Sequence, residues 1–409
     1  MEQGRFLAYA SNEKHPDWSK HIRREEELYK RNNDIRSEYE RDYTRILHCL
    51  AYRRLKHKTQ VFFNIDNDHI CTRMEHVQHV ESVSCTISKF LGLNVDLARA
   101  IAMGHDLGHA PFGHEGEVEL SKIREDNGLD KFWHERNSLR VIDDIEMLEN
   151  NTSCYKNLNL TYAVRDGIIS HCGEVDENGL KPRDKAIDLK TYSRPGEYAP
   201  YTWEGCVVKI SDKIAYVGRD IEDAVRLKFI TDADLEELKE ISGKYGESTI
   251  NTTVLINDFI MSICENSSPA DGIRLSEKYN NMLNEIKDFN YRKIYKNPKF
   301  ESYRKYAALV IRSIYDVLMA QYEGKDTVRK LLDIKFAYPH LVPDFVDFIN
   351  KYMFPEMLGD VAGRYTRYEN RKIYGMMDDK QKYAEAILDF ISGMTDRYAV
   401  AIHNELLKY

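Results

Sequence analysis

A mainly α-helical fold with at most a few short strands is what this 409-residue sequence predicts. Three observations predict it. Apolar residues recur at intervals of three and four along most of the chain. Capping signals open these stretches, and Gly or Pro interrupts them. Neither a GxxxxGK[ST] nor a GxGxxG loop, the mark of a nucleotide-binding parallel sheet, occurs anywhere.

Composition narrows the function. With 42% hydrophobic and 31% charged residues, the chain can bury a large core in one or two domains. A net charge of -8 gives no general attraction to polyanions, though a local pocket can still be positive. The apolar runs are far too short to span a membrane. The opening residues, MEQGRFLAYASNEKHPDWSKH, match neither a signal nor a transit peptide. Seven scattered cysteines without a CxxC pair read as reduced thiols of a cytoplasmic protein.

Three regions are expected: an N-terminal arm over 1–31, a core over 32–230 and a C-terminal helical region over 231–409 packed on that core. The arm is polar and aromatic, without periodicity, and reads as surface. Ile35, Tyr39, Tyr43, Ile46, Leu47 and Leu50 then mark a helix, whose arginines read as a solvated, salt-bridged face. Val61-Phe62-Phe63-Asn64-Ile65, followed by Asp66-Asn67-Asp68, looks like a short strand and a turn. Thr72 opens a helix with Glu75 at the capping-box position, and Val77, Val80, Ile87 and Leu91 form its apolar stripe before Gly92. Arg73 and His76 lie in its first turn. Residues 96–103 form a short apolar helix.

That helix delivers the stretch around which the chain is organised, Gly104-His105-Asp106-Leu107-Gly108-His109-Ala110-Pro111-Phe112-Gly113-His114-Glu115-Gly116-Glu117. It holds three His, one Asp and two Glu in fourteen residues. Imidazole beside carboxylate suits a divalent ion. Adjacent residues inside a helix point about 100° apart, so the pair His105-Asp106 converges best at a helix end. Helices follow over 115–124, after Trp133-His134, and over 158–171. A Gly/Pro-rich loop covers 173–201, a length that is usually functional or mobile.

Residues 202–226 form a second focus. Val207, Val208, Ile214, Val217 and Ile221 supply an apolar side. Asp212, Tyr216, Arg219, Asp220 and Asp223 fall on one stripe, which Glu204 continues backwards. Such a stripe can be solvated, but the apolar surroundings favour one that faces a site. Beyond 232 the chain reads as helices over 252–263, 273–286, 307–322, 328–336, 345–353 and 382–407, divided by prolines.

His76, His105, Asp106 and Asp212 each sit on or at the end of an expected helix. Together they can enclose one ion and leave positions open for water and substrate, the feature that separates catalytic from structural sites. This H…HD…D pattern resembles the HD-domain phosphohydrolases. Lys58-Thr59-Gln60-Val61, Thr72-Arg73-Met74-Glu75-His76, the fourteen-residue block, Asn159-Leu160-Thr161-Tyr162, Ser211-Asp212-Lys213-Ile214-Ala215-Tyr216, Asp220-Ile221-Glu222-Asp223-Ala224 and Gly393-Met394-Thr395-Asp396-Arg397-Tyr398-Ala399 narrow the resemblance. They look like the deoxyguanosine triphosphate triphosphohydrolases (dGTPases) and related dNTP hydrolases.

The resemblance implies the HD-domain helical fold and hydrolysis of a dNTP, dGTP first, to deoxynucleoside and tripolyphosphate. It implies a Mn, Mg, Fe, Co or Zn ion on His76, His105, Asp106 and Asp212. His114 and Glu117 resemble the catalytic pair, and His109 and His134 line the phosphates. By the same resemblance Gln60 and Asp220 match the groups that hold the sugar 3′-hydroxyl, Tyr216 is expected against the sugar, and Arg73 and Lys213 near the phosphates. A homo-oligomer, tetramer or hexamer, a second dNTP as activator and weak binding of single-stranded nucleic acid belong to the same expectation. Chemistry supports the residue types. Cleavage at the α-phosphorus expels a 5′-alkoxide that needs a proton, which a His supplies near neutral pH, and Glu117, three residues on, can hold its tautomer. Two alternatives share the metal motif: a phosphohydrolase acting on monophosphates or cyclic phosphodiesters, and a dNTP-sensing, nucleic-acid-binding regulator.

Overall fold

The computed structural model describes residues 3–28, 33–62, 67, 69–172, 178–246 and 251–408. It is mainly α-helical. The one regular sheet among the described residues is an antiparallel pair, Met147–Glu149 with Tyr155–Asn157. No described helix is long and apolar enough to cross a membrane. The strand and turn expected over 61–68 fall mostly on residues 63–66 and 68, outside those described.

Two compact units form, and neither is a contiguous segment. The first combines 1–47, 67–106 and 159–302; the second combines 48–66, 107–158 and 303–409.

In the first unit, helix Arg73–Leu91 begins where its sequence says. The Thr72 side chain accepts from Glu75 N, the Glu75 carboxylate accepts in turn from Thr72 N, and Gly92 closes the helix with φ 83°. Val77, Val80, Ile87 and Leu91 are all buried. This helix packs on Val95–Gly104 and on Trp203–Arg226, and Tyr162–Ser170 packs on both of those. The Val95–Gly104 and Tyr162–Ser170 helices are fitted closely. A Cβ on Gly104 would come within 2.5 Å of Ile168 Cδ1, and one on Gly167 within 2.4 Å of Ile101 Cδ1. Thr202 caps the long Trp203–Arg226 helix, whose five expected apolar positions are all buried.

The N-terminal segment is not a surface arm. Phe6 and Ser11 are fully buried and His21 nearly so. Phe6 packs edge-on to Trp203 at 4.9 Å. Ser11 N donates to Glu204 Oε1 at 2.9 Å, and Asn94 N donates to the same oxygen at 2.9 Å. Absence of periodicity concealed this anchoring, because it rests on single residues. Conversely Ile35, counted as apolar stripe, is exposed; the helix begins only at Glu38.

The second unit is centred on helices Gly113–Asp126, Leu341–Tyr352 and Lys380–Ser392 and on the part of helix Phe300–Met319 from Tyr303 onward, whose apolar faces share one core. Residues 382–407 are not one helix. Thr395 caps a new one, Asp396–Leu406, through Tyr398 N, so the chain breaks at Gly393-Met394. Arg140 closes two bonds on Asp389, with Nε 2.8 Å from Oδ1 and Nη2 2.7 Å from Oδ2.

Candidate metal centre and histidine cluster

His105 follows the last residue of Val95–Gly104 and keeps helical φ/ψ. Its Nδ1 lies 2.7 Å from Ala102 O. A carbonyl only accepts, so Nδ1 carries the proton and Nε2 the lone pair. That Nε2 lies 3.4 Å from His76 Nε2, which itself lies 3.0 Å from Asp212 Oδ1. His105 Nε2 is also 3.8 Å from Asp212 Oδ1 and 3.6 Å from Asp106 Oδ1. Ligand atoms about 2.0–2.2 Å from one ion stand roughly 3–3.5 Å apart. The His76–His105 and His76–Asp212 pairs meet that spacing, the His105–Asp106 and His105–Asp212 pairs lie just beyond it, and all four residues belong to the first unit.

The donor set itself fits a cation. Two imidazole nitrogens and a carboxylate oxygen face one another with almost no solvent; His76 and His105 are 3% and 0% exposed. Burial opposes charge on His76, yet the Asp212 hydrogen bond and charge, with Asp106, hold its pKa above the ordinary value. Burial dominates at His105 and lowers its pKa despite both carboxylates. Burial also works against ionised Asp212, but His76 and His105 keep it well below the ordinary carboxylate range. Two imidazoles and two carboxylates thus share one pocket, with Nε2 of His105 and of His76 turned toward the carboxylates.

Arg73, expected near the phosphates, bonds Asp106 Oδ2 through Nη1 at 2.9 Å, both groups buried. This leaves Oδ1 of Asp106 on the His105 side. Lys213 and Tyr216 are part-exposed on Trp203–Arg226. Asp220, two turns beyond Asp212, is buried and accepts a hydrogen bond from the Tyr295 hydroxyl. Burial pushes its carboxyl up to about 7, against that bond. Tyr295 escaped the sequence reading because it lies in a stretch rich in Tyr and Lys with no motif. Asp223, the last of the stripe, accepts Cys71 N at 2.9 Å just before the Thr72 cap.

The second unit holds another group: His109, Glu117 and His134. Glu117 Oε1 is 3.5 Å from His109 Nε2 and 3.2 Å from His134 Nδ1, and the two imidazoles stack with centroids 3.8 Å apart. Glu117 was expected to orient His114. Among the described contacts it turns to His109 and His134 instead, while His114 is exposed. Residues three apart on a helix point about 60° apart, enough for Glu117 to face inward and His114 outward. Two glycines make room here. A Cβ on Gly108 would sit 2.0 Å from Ser138 N, and one on Gly116 1.9 Å from Pro111 O.

Lys58, Thr59 and Asp396 tie three of the sequence blocks together. Lys58 Nζ donates to His109 O and, at 2.9 Å, to Ser392 O. Thr59 donates through N and Oγ1 to Asp396 Oδ2 at 3.0 and 2.7 Å, and Phe112 N to Asp396 Oδ1 at 2.9 Å. Phe112 holds a left-handed φ of 65°, rare for a side-chain-bearing residue, at the start of Gly113–Asp126. Gln60 follows this clamp, part-exposed.

The fold and the His76/His105/Asp212 cluster define a metal-dependent phosphohydrolase of the HD class. The HD domain family matches residues 73–217, and a phosphohydrolase-associated domain matches 368–405. Proteins called deoxyguanosinetriphosphate triphosphohydrolase-like are similar over most of their length. That of Caldanaerobacter subterraneus is 32% identical, covering 91% of this chain and 86% of the relative. That of Clostridium tetani is 31% identical over the same shares. A shorter match, 35% identical, covers 70% of this chain and 74% of the protein from Desulfatibacillum aliphaticivorans. The chain belongs to this deoxyguanosinetriphosphate triphosphohydrolase-like family of HD-domain proteins.

Proposed function

We propose that the protein hydrolyses a deoxynucleoside triphosphate, dGTP first, to the deoxynucleoside and tripolyphosphate. The observation that carries this is the close group of His76, His105 and Asp212, with Asp106 beside His105, within a chain of this family. When bound, that ion polarises a phosphoryl oxygen and activates water. Water oxygen bonds to the α-phosphorus, the bond from phosphorus to the 5′-oxygen breaks, and the leaving oxygen takes a proton. His114, exposed in the first turn of its helix, is the proton donor in this reading. His109, His134, Lys213 and Arg73 hold the triphosphate by charge-assisted hydrogen bonds. Gln60 and Asp220 take the 3′-hydroxyl, and Tyr216 packs on the sugar. The reading extends to a cytoplasmic tetramer or hexamer with a second dNTP as activator and weak affinity for single strands.

One panel tests it: four dNTPs, singly and in pairs, with Mn or Mg, and chromatography of the products. Tripolyphosphate with deoxynucleoside is the expected result. Orthophosphate, pyrophosphate or no turnover in any combination would overturn it. Light scattering that finds only a 47.9 kDa species at micromolar concentration removes the oligomer.

A further inference from the structure

We infer that His171 is a positioning residue of the metal centre, bracing the His105 ring. This rests on reading His76, His105, Asp106 and Asp212 as ligands. His171 belongs to no sequence block, and nothing in the proposed chemistry uses it.

His105 and His171 are built alike. Each is the residue after a helix, Val95–Gly104 or Tyr162–Ser170, and each keeps helical φ/ψ. Each brings Nδ1 to the carbonyl three residues back, His105 at 2.7 Å from Ala102 O and His171 at 2.6 Å from Ile168 O. Both rings therefore protonate Nδ1 and carry the lone pair on Nε2. The two rings meet edge to face, centroids 4.9 Å apart and planes at 73°. Both residues are fully buried, at 0% and 1% exposure.

The helices that carry the two rings are locked to each other. Gly104 admits Ile168, and Gly167 admits Ile101, at separations that leave no space for a methyl group on either glycine. The two helices are packed without a gap beside the rings, so the His171 ring meets His105 from a closely fitted neighbour. One hydrogen bond at Nδ1 leaves an imidazole able to rock about its own axis; a second ring packed edge to face with it restrains that motion. The direction of His105 Nε2, toward His76 and Asp212, is what becomes fixed. Outer partners that orient a ligand imidazole are worth about 10–100-fold in metal affinity.

The test is Co2+ binding to the full chain, followed by calorimetry and by the visible absorption of the bound ion, which reports ligand geometry. Wild type, His171→Ala, His171→Phe and Asp106→Ala are compared. His171→Ala should bind Co2+ at least about tenfold more weakly and shift the absorption bands, with circular dichroism unchanged. His171→Phe keeps a ring against His105 but loses the bond to Ile168 O. It should fall between wild type and His171→Ala, and it carries the test alone should the alanine variant not fold. Unchanged affinity and unchanged bands in whichever of these variants folds would overturn the proposal while leaving the ligand set standing. A wild type that binds no Co2+, behaving like Asp106→Ala, would overturn the ligand reading and this inference with it.

Discussion

Glu117 is the residue whose surroundings differ most from its motif. Its carboxylate lies between His109 and His134, and the His-x-x-Glu spacing that pointed to His114 is not the contact made. A double-mutant cycle on kcat separates the two roles. Glu117→Gln and His134→Ala should be non-additive by roughly 1 kcal/mol or more, whereas Glu117→Gln and His114→Ala should add. The reverse pattern would return Glu117 to His114. A second expectation concerns Tyr216, one turn after Asp212 and one before Asp220. Each helical turn advances about 5.4 Å along a bound nucleotide. An aromatic wall there leaves a ribose 2′-hydroxyl without a partner, a cost of about 1–3 kcal/mol. dGTP should therefore exceed GTP in kcat/KM by about tenfold or more, and Tyr216→Ala should shrink the ratio. Equal values in the wild type would rule this out.

Two helices do most of the positioning, and both depend on their first turns. The Arg73–Leu91 helix places His76 within its first four residues, under the Thr72–Glu75 capping box. Thr72→Ala should cost about 1 kcal/mol and weaken metal binding together, because fraying moves His76. Intact metal affinity in a destabilised variant would show that the turn is held by packing alone. The Trp203–Arg226 helix starts beside Glu204, which is buried and pushed up to about 7 by that burial, against the N–H donors of Ser11 and Asn94. Unfolded, the same carboxyl titrates near about 4.3. The folded state thus binds the proton more tightly, so this contribution is full below about 4.3 and disappears as pH rises through 7. Urea unfolding at pH 5 and pH 8 should show wild type losing on the order of 2 kcal/mol more than Glu204→Gln over that interval. Parallel losses in both would mean that Glu204 stays ionised.

Across the whole chain, residues far apart in sequence close each unit. Thr59 and Asp396 are 337 positions apart and Lys58 and Ser392 334, within the unit that carries His109, Glu117 and His134. Asp396 alone accepts from Thr59 N, Thr59 Oγ1 and Phe112 N. Removing it leaves three donors without an acceptor and releases the left-handed Phe112 turn. Asp396→Ala should cost on the order of 3 kcal/mol and lower kcat while leaving divalent-metal affinity unchanged, since no proposed ligand lies in that unit. Loss of metal along with activity would show instead that the whole chain had collapsed.

Several caps and buried stripes were legible in the amino-acid order, though not every helix boundary: one helix begins at Glu38 rather than before Ile35, and 382–407 breaks at Gly393-Met394. The Thr72–Glu75 box, the Gly92 stop, the buried stripe of Val77, Val80, Ile87 and Leu91 and the placement of His105-Asp106 at a helix end all follow from neighbours one to four positions apart. Such signals are local because the helical hydrogen bond and the side-chain contacts of one turn are local. The choice of partner across the fold was not legible. Glu117 facing His109 and His134, Tyr295 on Asp220, His171 against His105 and Ser11 on Glu204 join elements that the chain visits at distant points. Burial makes those pairings worth forming, and burial exists only once the helices have packed. Local order therefore names the groups, and packing decides which of them meet, through which atom, and with what charge.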